Sequence, residues 1–291
     1  MADKKKKVRS VKDTPRHKVG VVLGTGFFVI LCAIIVFPVF AGLLASFRPG
    51  KELIRRGLSI DLDFSTMSLD NYTYLFSGNA DSQKYFMWYK NSLIITIVSV
   101  VLTLLICYFV AYGLTMYNYR LKNFLFFLVI ATMMVPFEIL MLPLYKEIIA
   151  IGLIDSYVGV IITGLCSAST IFFFKQYLSG LPKDLLDAAR IDGATNIQLL
   201  LRVMVPLAKP GIATITMLSA MGFWNEYPLA LVLLTEDAKK TLPIGMANLF
   251  EVQKYATDWG ALFAGLVIVM IPTIIIYLIG QRYLLQGIGA G

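Results

Sequence analysis

The sequence DAARIDGA at Asp187–Ala194, followed by Pro206 and Pro210, lies between two long apolar segments of the chain. Its small residues would let another surface approach closely, and its acids would offer charge to a basic partner. The stretch therefore indicates a docking element rather than a flexible linker. The apolar segments on either side decide what kind of protein carries it.

The composition indicates a membrane protein. Hydrophobic residues make up 58% of the 291 residues and charged residues 15%, with a mean hydropathy of +0.74, well outside the range of soluble domains. A segment that crosses a bilayer core of roughly 30 Å needs about 20 mostly apolar residues, and it must be helical because lipid offers no partner for backbone groups. We therefore predict an all-α membrane protein with six transmembrane helices, approximately at Val19–Phe47, Ser92–Met116, Phe124–Leu144, Tyr157–Tyr177, Ile212–Leu234 and Ala261–Leu284.

Positive charge is distributed unevenly between the alternate loops. If the N-terminus lies in the cytoplasm, 16 of the 26 lysines and arginines fall on the inner side, and eight of these lie in the tail. This bias predicts an N-in, C-in orientation. We interpret residues 1–18 as a basic cytoplasmic tail and residues 19–291 as one transmembrane domain. The Lys4–Lys7 run is typical of a topology anchor, so no nucleic-acid partner is expected.

The loop between the fourth and fifth predicted spans, residues 179–210, carries the signals of two short helices. Pro182 suits the first turn of a helix, where its missing N–H is tolerated. Gly193 fits the left-handed position that ends this helix. Thr195–Gln198 has the capping-box pattern, which predicts a second helix through about Met204.

The first helix of this loop is predicted to present one narrow, mostly small face on which a partner groove could close. Asp184 complements the positive end of the helix, and Asp187 and Arg190 can pair along its side. Pro206 and Pro210 are expected to stop the second helix and to start the fifth span. The loop is thus predicted to form a rigid two-helix unit on the cytoplasmic face, called the elbow below. Its small face consists of Leu185, Ala188, Ala189 and Asp192.

Two acids fall inside predicted spans, where an ionisable residue is costly and usually functional. Glu138 lies between Pro136 and Pro143, which are expected to interrupt or kink that helix. Glu226 belongs to the sequence WNEYP at Trp224–Pro228. Aromatic rings beside amide and carboxylate groups suit sugars, which need stacking and hydrogen bonds together. The candidate translocation path therefore comprises Glu138, Trp224, Asn225 and Glu226, while an interhelical hydrogen bond or a Glu near the lipid headgroups would explain the acids equally well.

The third predicted outside loop, about residues 235–260, is long enough to contact a soluble partner. It contains a possible helix around Met246–Tyr255, on which Met246, Asn248 and Phe250 are the candidate contacts. The alternative is a cap over the helix ends, and loop length alone does not separate the two.

No enzymatic centre is predicted. The three cysteines fall inside apolar segments, the single histidine, His17, lies in the basic tail, and no metal-ligand spacing appears. We expect no catalytic residue, no metal and no cofactor on this chain. The phosphate-binding sequence G-x-x-x-x-G-K-[ST] is also missing, so ATP would have to be hydrolysed on another chain.

The elbow resembles the EAA loop of ATP-binding-cassette (ABC) importer permeases, and motifs along nearly the whole chain resemble the carbohydrate type of the maltose-importer MalG kind. These motifs are Ser68–Tyr72 with Asn91–Leu93, Val135–Glu138 with Pro143–Tyr145, Trp224–Glu226 and Gln281–Leu284. The resemblance implies that Asp187, Ala188, Ala189, Asp192, Gly193, Ala194 and Pro206 couple the permease to an ATPase. Two positions depart from the pattern: Asp187 replaces the usual Glu, and Leu200 stands where Phe is common.

The resemblance also implies an assembly. Two copies of a cytoplasmic ABC ATPase, with ATP and Mg on those subunits, would drive this chain together with a second, homologous permease of the MalF kind. An extracytoplasmic solute-binding protein would deliver a sugar or oligosaccharide. The expected location is the cell membrane of a bacterium or an archaeon, and the solute itself is not identified by the sequence.

An autonomous secondary transporter is the alternative function, with Glu138 and Glu226 as proton or cation sites. The sequence shows no visible inverted repeat of the kind found in such transporters, and this function leaves the elbow unexplained. The two functions differ in whether the chain needs an ATPase and a second permease.

Overall fold

The computed structural model describes residues 15–58, 60, 63–77, 80–256 and 259–288. Every regular element in these ranges is helical, in agreement with the predicted fold class. Most of the predicted tail lies outside the described residues, and the first helix already begins at Pro15. The helices are α1 Pro15–Ala45, α2 Gly50–Arg56, α3 Asp70–Phe76, α4 Ala80–Met116, α5 Lys122–Met133, α6 Phe137–Ala150, α7 Tyr157–Gly164, α8 Ala168–Ser179, α9 Lys183–Ile191, α10 Asn196–Gln198, α11 Val205–Leu207, α12 Lys209–Trp224, α13 Pro228–Leu233, α14 Leu242–Ala256 and α15 Trp259–Ile288.

Three helices are long and apolar enough to cross a membrane unbroken. They are Val19–Ala45 in α1, Lys84–Met116 in α4 and Trp259–Tyr283 in α15. Three bent pairs bring the number of candidate spans to as many as six: α5 with α6 at 103°, α7 with α8 at 43°, and Asn196–Leu207 with α12 at 75°.

The third, fourth and fifth predicted spans are each divided into two helices. The interruption of the third beside Pro136 was predicted, whereas the prediction of a continuous helix was wrong for the fourth. The third breaks before Pro136, whose own backbone is extended with ψ of 134°, because a proline disfavours a helical residue before it. The fifth breaks between Trp224 and Pro228, and Pro228 begins α13, where its missing N–H is tolerated. In the fourth, Ser167 is extended and its hydroxyl accepts a hydrogen bond from the Thr170 N–H at 3.3 Å, which starts α8 anew.

Helix α4 forms the centre of the bundle, where it packs against α8, α12, α7 and α14. One core cluster joins the elbow to α4 and α8, a second joins α6, α7 and α13, and a third joins α3, α4, α14 and α15. Helix α1 packs on α15 and leaves most of its apolar side chains exposed. Exposed apolar helices of this kind fit a lipid environment.

Asn71 and Asn91, which belong to the motifs that carry the resemblance, tie helix ends together. The Asn71 Nδ2 donates to the Ser46 carbonyl at 2.8 Å and to the Arg48 carbonyl at 2.9 Å, at the end of α1. The Asn91 Nδ2 donates to the carbonyls of Ala238 and Lys240, both at 2.9 Å. Each amide therefore satisfies carbonyls that no helix pairs.

Asp155 forms a clasp between the loop after α6 and the segment after α13. Its backbone is left-handed, with φ of 52°. Its carboxylate accepts hydrogen bonds from the Thr235 N–H at 2.6 Å, the Thr235 hydroxyl at 2.5 Å and the Glu236 N–H at 2.9 Å. The Thr235 hydroxyl and the Glu236 N–H hold the pKa of Asp155 below its ordinary value, because they stabilise the charged form.

The clasp predicts a pH-dependent contribution to stability. A carboxylate with a lowered pKa stabilises the fold above the ordinary aspartate value of about 3.9, and this contribution is lost as the pH falls through the lower folded pKa. We expect Asp155→Ala to lower the midpoint of thermal unfolding at pH 7 by roughly 3–6 °C, since hydrogen bonds are lost and alanine is strained in the left-handed region.

Thermal unfolding of the full chain in detergent, from pH 7 to pH 3, measures this effect. Asp155→Asn tolerates the left-handed backbone and removes only the charge, so its midpoint is expected to lie between those of wild type and Asp155→Ala. Asp63→Asn is the control, because the Asp63 hydrogen bonds run to Ser65 in the same turn. Equal midpoints for Asp155→Ala and Asp63→Asn would contradict the clasp.

Candidate functional site

The first helix of the elbow has the predicted ends. Helix α9 follows Pro182, and Asp184 lies in its first turn. Gly193 has φ of 82°, as its left-handed role requires. The Gly193 N–H donates to the Arg190 carbonyl and the Ala194 N–H to the Ala189 carbonyl, both at 3.0 Å, so the turn closes the helix. The predicted pair of Asp187 and Arg190 is present at 3.0 Å.

The second helix of the elbow begins as predicted but ends later. The Thr195 hydroxyl accepts from the Gln198 N–H at 3.3 Å, and the Gln198 side chain accepts from the Thr195 N–H at 2.9 Å, which confirms the capping box. The prediction that Pro206 stops this helix was wrong. A π-helical turn, Leu199–Met204, continues into α11, and the bend comes at Ala208. Pro206 lies in the first turn of α11, where a missing N–H is tolerated.

The elbow is fixed to α4 and α8 by buried side chains. Leu186, Leu199, Leu200 and Met204 are each at most 5% exposed and share one core cluster with those helices. Leu200, where the resemblance leads us to expect Phe, thus fills a buried apolar position. The Tyr112 hydroxyl of α4 also donates to the Asn196 carbonyl at 3.2 Å.

The outer side of the elbow differs from the predicted small face. Ala189 is half-buried and packs on the same core cluster, so the face of four residues does not point one way. Leu185, Ala188 and Asp192 are exposed, and two isoleucines beside them are more exposed still: Ile191 at 86% and Ile197 at 70%. The sequence interpretation missed these isoleucines, although apolar residues on both sides of a glycine turn were the available signal.

A cavity of about 540 Å³ lies where the breaks of the fourth and fifth predicted spans face each other. Serine and threonine hydroxyls and phenylalanine rings are among the side chains of its wall, and Glu226 is the charged residue among those that line it. The lining residues are Thr103, Met133, Gly164, Ser167, Ser169, Thr170, Phe172, Phe173, Ile215, Leu218, Ser219, Gly222, Phe223 and Glu226.

Of the four translocation-path candidates, Glu226 is the one that reaches this cavity. Its carboxylate also accepts the Leu229 N–H at 3.0 Å and so caps α13. Trp224 is 2% exposed, and its indole N–H donates to the Val269 carbonyl at 3.1 Å. The Asn225 side chain donates to the Met221 carbonyl at 2.8 Å. Glu138 is exposed in the first turn of α6, outside the cavity lining.

The sequence interpretation missed most of the cavity wall. Thr103 comes from α4, Ser167 from the break before α8, Ser169 from the first turn of α8, and Ser219 from α12. A signal was present in the hydroxyl residues beside the Phe172–Phe174 triplet. Their approach to Thr103 depends on packing between distant helices, which no local pattern reveals.

The predicted helix of the third outside loop is present as α14, longer than expected. Met246 is 6% exposed and packs in the core cluster with Tyr85, Asn248 is half-buried, and Phe250 is 41% exposed. The Phe250 ring meets Trp259 edge to face at 5.8 Å between centroids. Within this set Phe250 offers the most accessible surface, and the contact with a binding protein stays a prediction.

Broken apolar helices, a cavity lined by hydroxyl and phenyl side chains at the breaks, and an exposed two-helix elbow are features expected of a membrane permease. The chain belongs to the family described as binding-protein-dependent transport system inner membrane component, whose model matches residues 103–289. The resemblance to ABC importer permeases is thereby confirmed.

The chain is similar over nearly its whole length to curated relatives. It is 40% identical over 281 residues to the arabinooligosaccharides transport system permease protein AraQ of Bacillus subtilis, which covers 97% of this chain and 98% of AraQ. It is 29% identical to the diacetylchitobiose uptake system permease protein NgcG of Streptomyces coelicolor, over 89% of this chain and 84% of NgcG. These relatives are transport permease subunits, not enzymes.

The fold is similar to that of a solved ABC transporter chain. That bacterial transporter is involved in the import of the acidic polysaccharide alginate, and the match has a TM-score of 0.78 at 25% identity. It covers 93% of this chain and 98% of the other. The agreement extends beyond the family match to the N-terminal helices.

Proposed function

We propose that this chain is the permease subunit of an ATP-driven, binding-protein-dependent ABC importer for a sugar or oligosaccharide. The cavity of hydroxyl and phenyl groups at the helix breaks is the observation that carries the substrate class. The 40% identity to an arabinooligosaccharide permease supports it. The chain would lie in a bacterial cell membrane, N-in and C-in, with residues 1–18 as the cytoplasmic tail.

The chemistry of the cavity suits a carbohydrate. Hydroxyls of Ser167, Ser169 and Ser219 both donate and accept hydrogen bonds, and the rings of Phe173 and Phe223 offer apolar faces. A volume of about 540 Å³ lies within the usual 300–1,000 Å³ range of ligand pockets. Because α6 leaves Glu138 and apolar neighbours exposed beside this region, we infer that a second permease supplies the facing wall.

The elbow would dock on the ATPase. Ile191, Ile197, Leu185 and Ala188 form an exposed apolar and small surface around Gly193, and their burial would supply the contact. Since the opposite side of the elbow is packed against α4 and α8, closure of two ATPase subunits would move those helices as well. ATP and Mg would bind to the ATPase subunits, and we expect no cofactor or metal on this chain.

The end of the bundle opposite the elbow would face the solute-binding protein, with Phe250 on α14 as the central contact. Asn91 and Asp155 hold the segments beside α14 in place. Substrate release would then be coupled to the movement of the elbow through α4, which reaches both ends.

Reconstitution into liposomes tests the proposal. The chain is combined with its cognate ATPase, second permease and binding protein, and ATP hydrolysis is measured with arabinooligosaccharide as the probe. We expect stimulation that requires all four components. Uptake by this chain alone, without an ATPase or a second permease, would overturn the proposal in favour of a secondary transporter.

A double variant distinguishes the two functions directly. In Glu138→Gln/Glu226→Gln the amide oxygen can still cap α13, so ATP-dependent uptake is expected to stay within about twofold of wild type. A proton- or cation-driven transporter would lose its coupling sites and its uptake. Glu226→Leu serves as a control for the cap, and its loss is expected to lower thermal stability without creating ion dependence.

A further inference from the structure

We propose that the elbow end of the bundle binds one anionic phospholipid, with its headgroup in a basic cavity and an acyl chain in an adjoining apolar groove. The placement rests on the proposed orientation, in which this end lies at the inner membrane surface. The lipid site itself is separate from the sugar cavity, and it shares α9 with the docking surface of the elbow, because Asp187 and Arg190 line it.

The headgroup site is a cavity of about 360 Å³ between α4, α5, α8 and α9. Three cations line it, Lys122, Lys175 and Arg190, against one carboxylate, Asp187, which is already paired with Arg190 at 3.0 Å. The Asn118 amide lines the cavity as well. The excess of positive charge favours an anion of one or two charges, and basic pockets between spans at the inner surface suit lipid headgroups.

The two lysines are held at the cavity rather than free in solvent. The Lys122 Nζ donates to the Thr115 carbonyl at 3.1 Å, near the end of α4, which leaves further N–H groups to donate. The Lys175 Nζ lies 4.2 Å from the centroid of the Phe126 ring. Both lysines are half-buried, so their side chains would lose little conformational entropy when an anion binds.

The chain site is an apolar groove of about 560 Å³ between α4, α5 and the start of α8. Leu114 lines both the groove and the basic cavity, so the two adjoin at this residue. Along α5 they extend from Lys122 to Thr132, which is about 15 Å at 1.5 Å per residue. This length matches half of a bilayer core of roughly 30 Å.

The junction of cavity and groove favours a lipid over a soluble anion. A free phosphate would use the cations and leave the groove unexplained, whereas a phospholipid has the charge at one end and the apolar chain at the other. Gly113 lines the groove, and a Cβ built there meets no heavy atom within 4 Å. The space beside this glycine is therefore open.

Native mass spectrometry of the purified full chain in neutral detergent tests the headgroup site. Phosphatidylglycerol, phosphatidylcholine and inorganic phosphate are the probes. Each cation near an anionic surface contributes about fivefold in affinity, so Lys122→Gln/Lys175→Gln is expected to bind phosphatidylglycerol roughly 25-fold more weakly. Lys209→Gln is the matched control, since Lys209 is exposed and lies outside the cavity lining.

A second variant tests the groove and remains informative if the lysine variant fails to fold. Gly113→Leu places an isobutyl group in the groove and is expected to weaken the binding of phosphatidylglycerol by at least about tenfold, because the acyl chain loses apolar surface against which it packs. Gly113→Ala should bind nearly as well as wild type. Equal binding of phosphatidylglycerol and phosphatidylcholine would overturn the proposal. Displacement of the lipid by millimolar phosphate, with no effect of Gly113→Leu, would show a soluble-anion site instead.

Discussion

Gly193→Pro is expected to abolish substrate-stimulated ATP hydrolysis while membrane insertion persists. The backbone at Gly193 has φ of 82°, and a proline ring fixes φ near −65°. The substitution also removes the N–H that donates to the Arg190 carbonyl at 3.0 Å. Strain and a lost hydrogen bond of this kind cost about 3 kcal/mol or more, enough to rearrange the turn between α9 and α10.

The effect is expected in coupling because the turn sets the angle of the elbow against the ATPase. Stimulated hydrolysis by the reconstituted importer should fall at least about tenfold. A tenfold ratio corresponds to about 1.4 kcal/mol, which is less than the cost of the substitution. Gly193→Asn is the matched control: asparagine tolerates the left-handed region, and a Cβ at this position meets no heavy atom within 4 Å. Near-normal hydrolysis in Gly193→Asn with loss in Gly193→Pro would support the rigid elbow, and normal coupling in the proline variant would contradict it.

Gly222→Trp is expected to block sugar uptake. Gly222 lines the cavity of about 540 Å³, and a Cβ added there meets no heavy atom within 4 Å. The backbone therefore accepts a Cβ at this position, and an indole attached to it would occupy cavity space that the substrate needs. Uptake should fall at least about tenfold, since the tryptophan must move before a ligand enters.

Radiolabelled arabinooligosaccharide uptake by proteoliposomes measures this block, and basal ATP hydrolysis reports on assembly. Gly222→Ala is the control with a small side chain, and it replaces a flexible residue of α12, so stability is expected to hold or rise. Full uptake by Gly222→Trp would place the substrate route elsewhere. Loss of basal hydrolysis together with uptake would indicate failed assembly rather than a blocked path.

The ends of the elbow helices were predictable because their causes are local. A left-handed glycine at position 193 and the Thr195–Gln198 capping box act within one or two turns of backbone. The π turn at Leu199–Met204 was not, since it accompanies buried packing of Leu199, Leu200 and Met204 beneath the elbow. Pro206 looked like a stop only under the assumption of a regular α-helix.

The breaks in the predicted spans also differ in whether a local sequence signal announces them. Pro136 and Pro228 carried a visible signal, and the helices break beside them. The break at Leu165–Ser167 lies in an apolar run without proline. Hydropathy measures whether a segment belongs in lipid, and it does not report how a helix is divided within the membrane.

The candidate path illustrates where local pattern is insufficient. Trp224 and Glu226 are two residues apart, yet Trp224 packs inward on Val269 while Glu226 reaches the cavity. An aromatic residue suits a protein core and a sugar site equally well, so its neighbours decide its role. Those neighbours come from α15 and α8, far away in the chain.

The sequence by itself determined the apolar segments, the helical class and the residues at which the elbow helices meet, because these follow from transfer free energies and backbone preferences of adjacent residues. Only the tertiary structure decided which side chains meet: the hydroxyl and phenyl wall around Gly222, the outward isoleucines beside Gly193, and the basic cavity that adjoins an apolar groove at Leu114. Such sites join residues from separate helices, and their formation depends on which helices pack together over long separations in the chain.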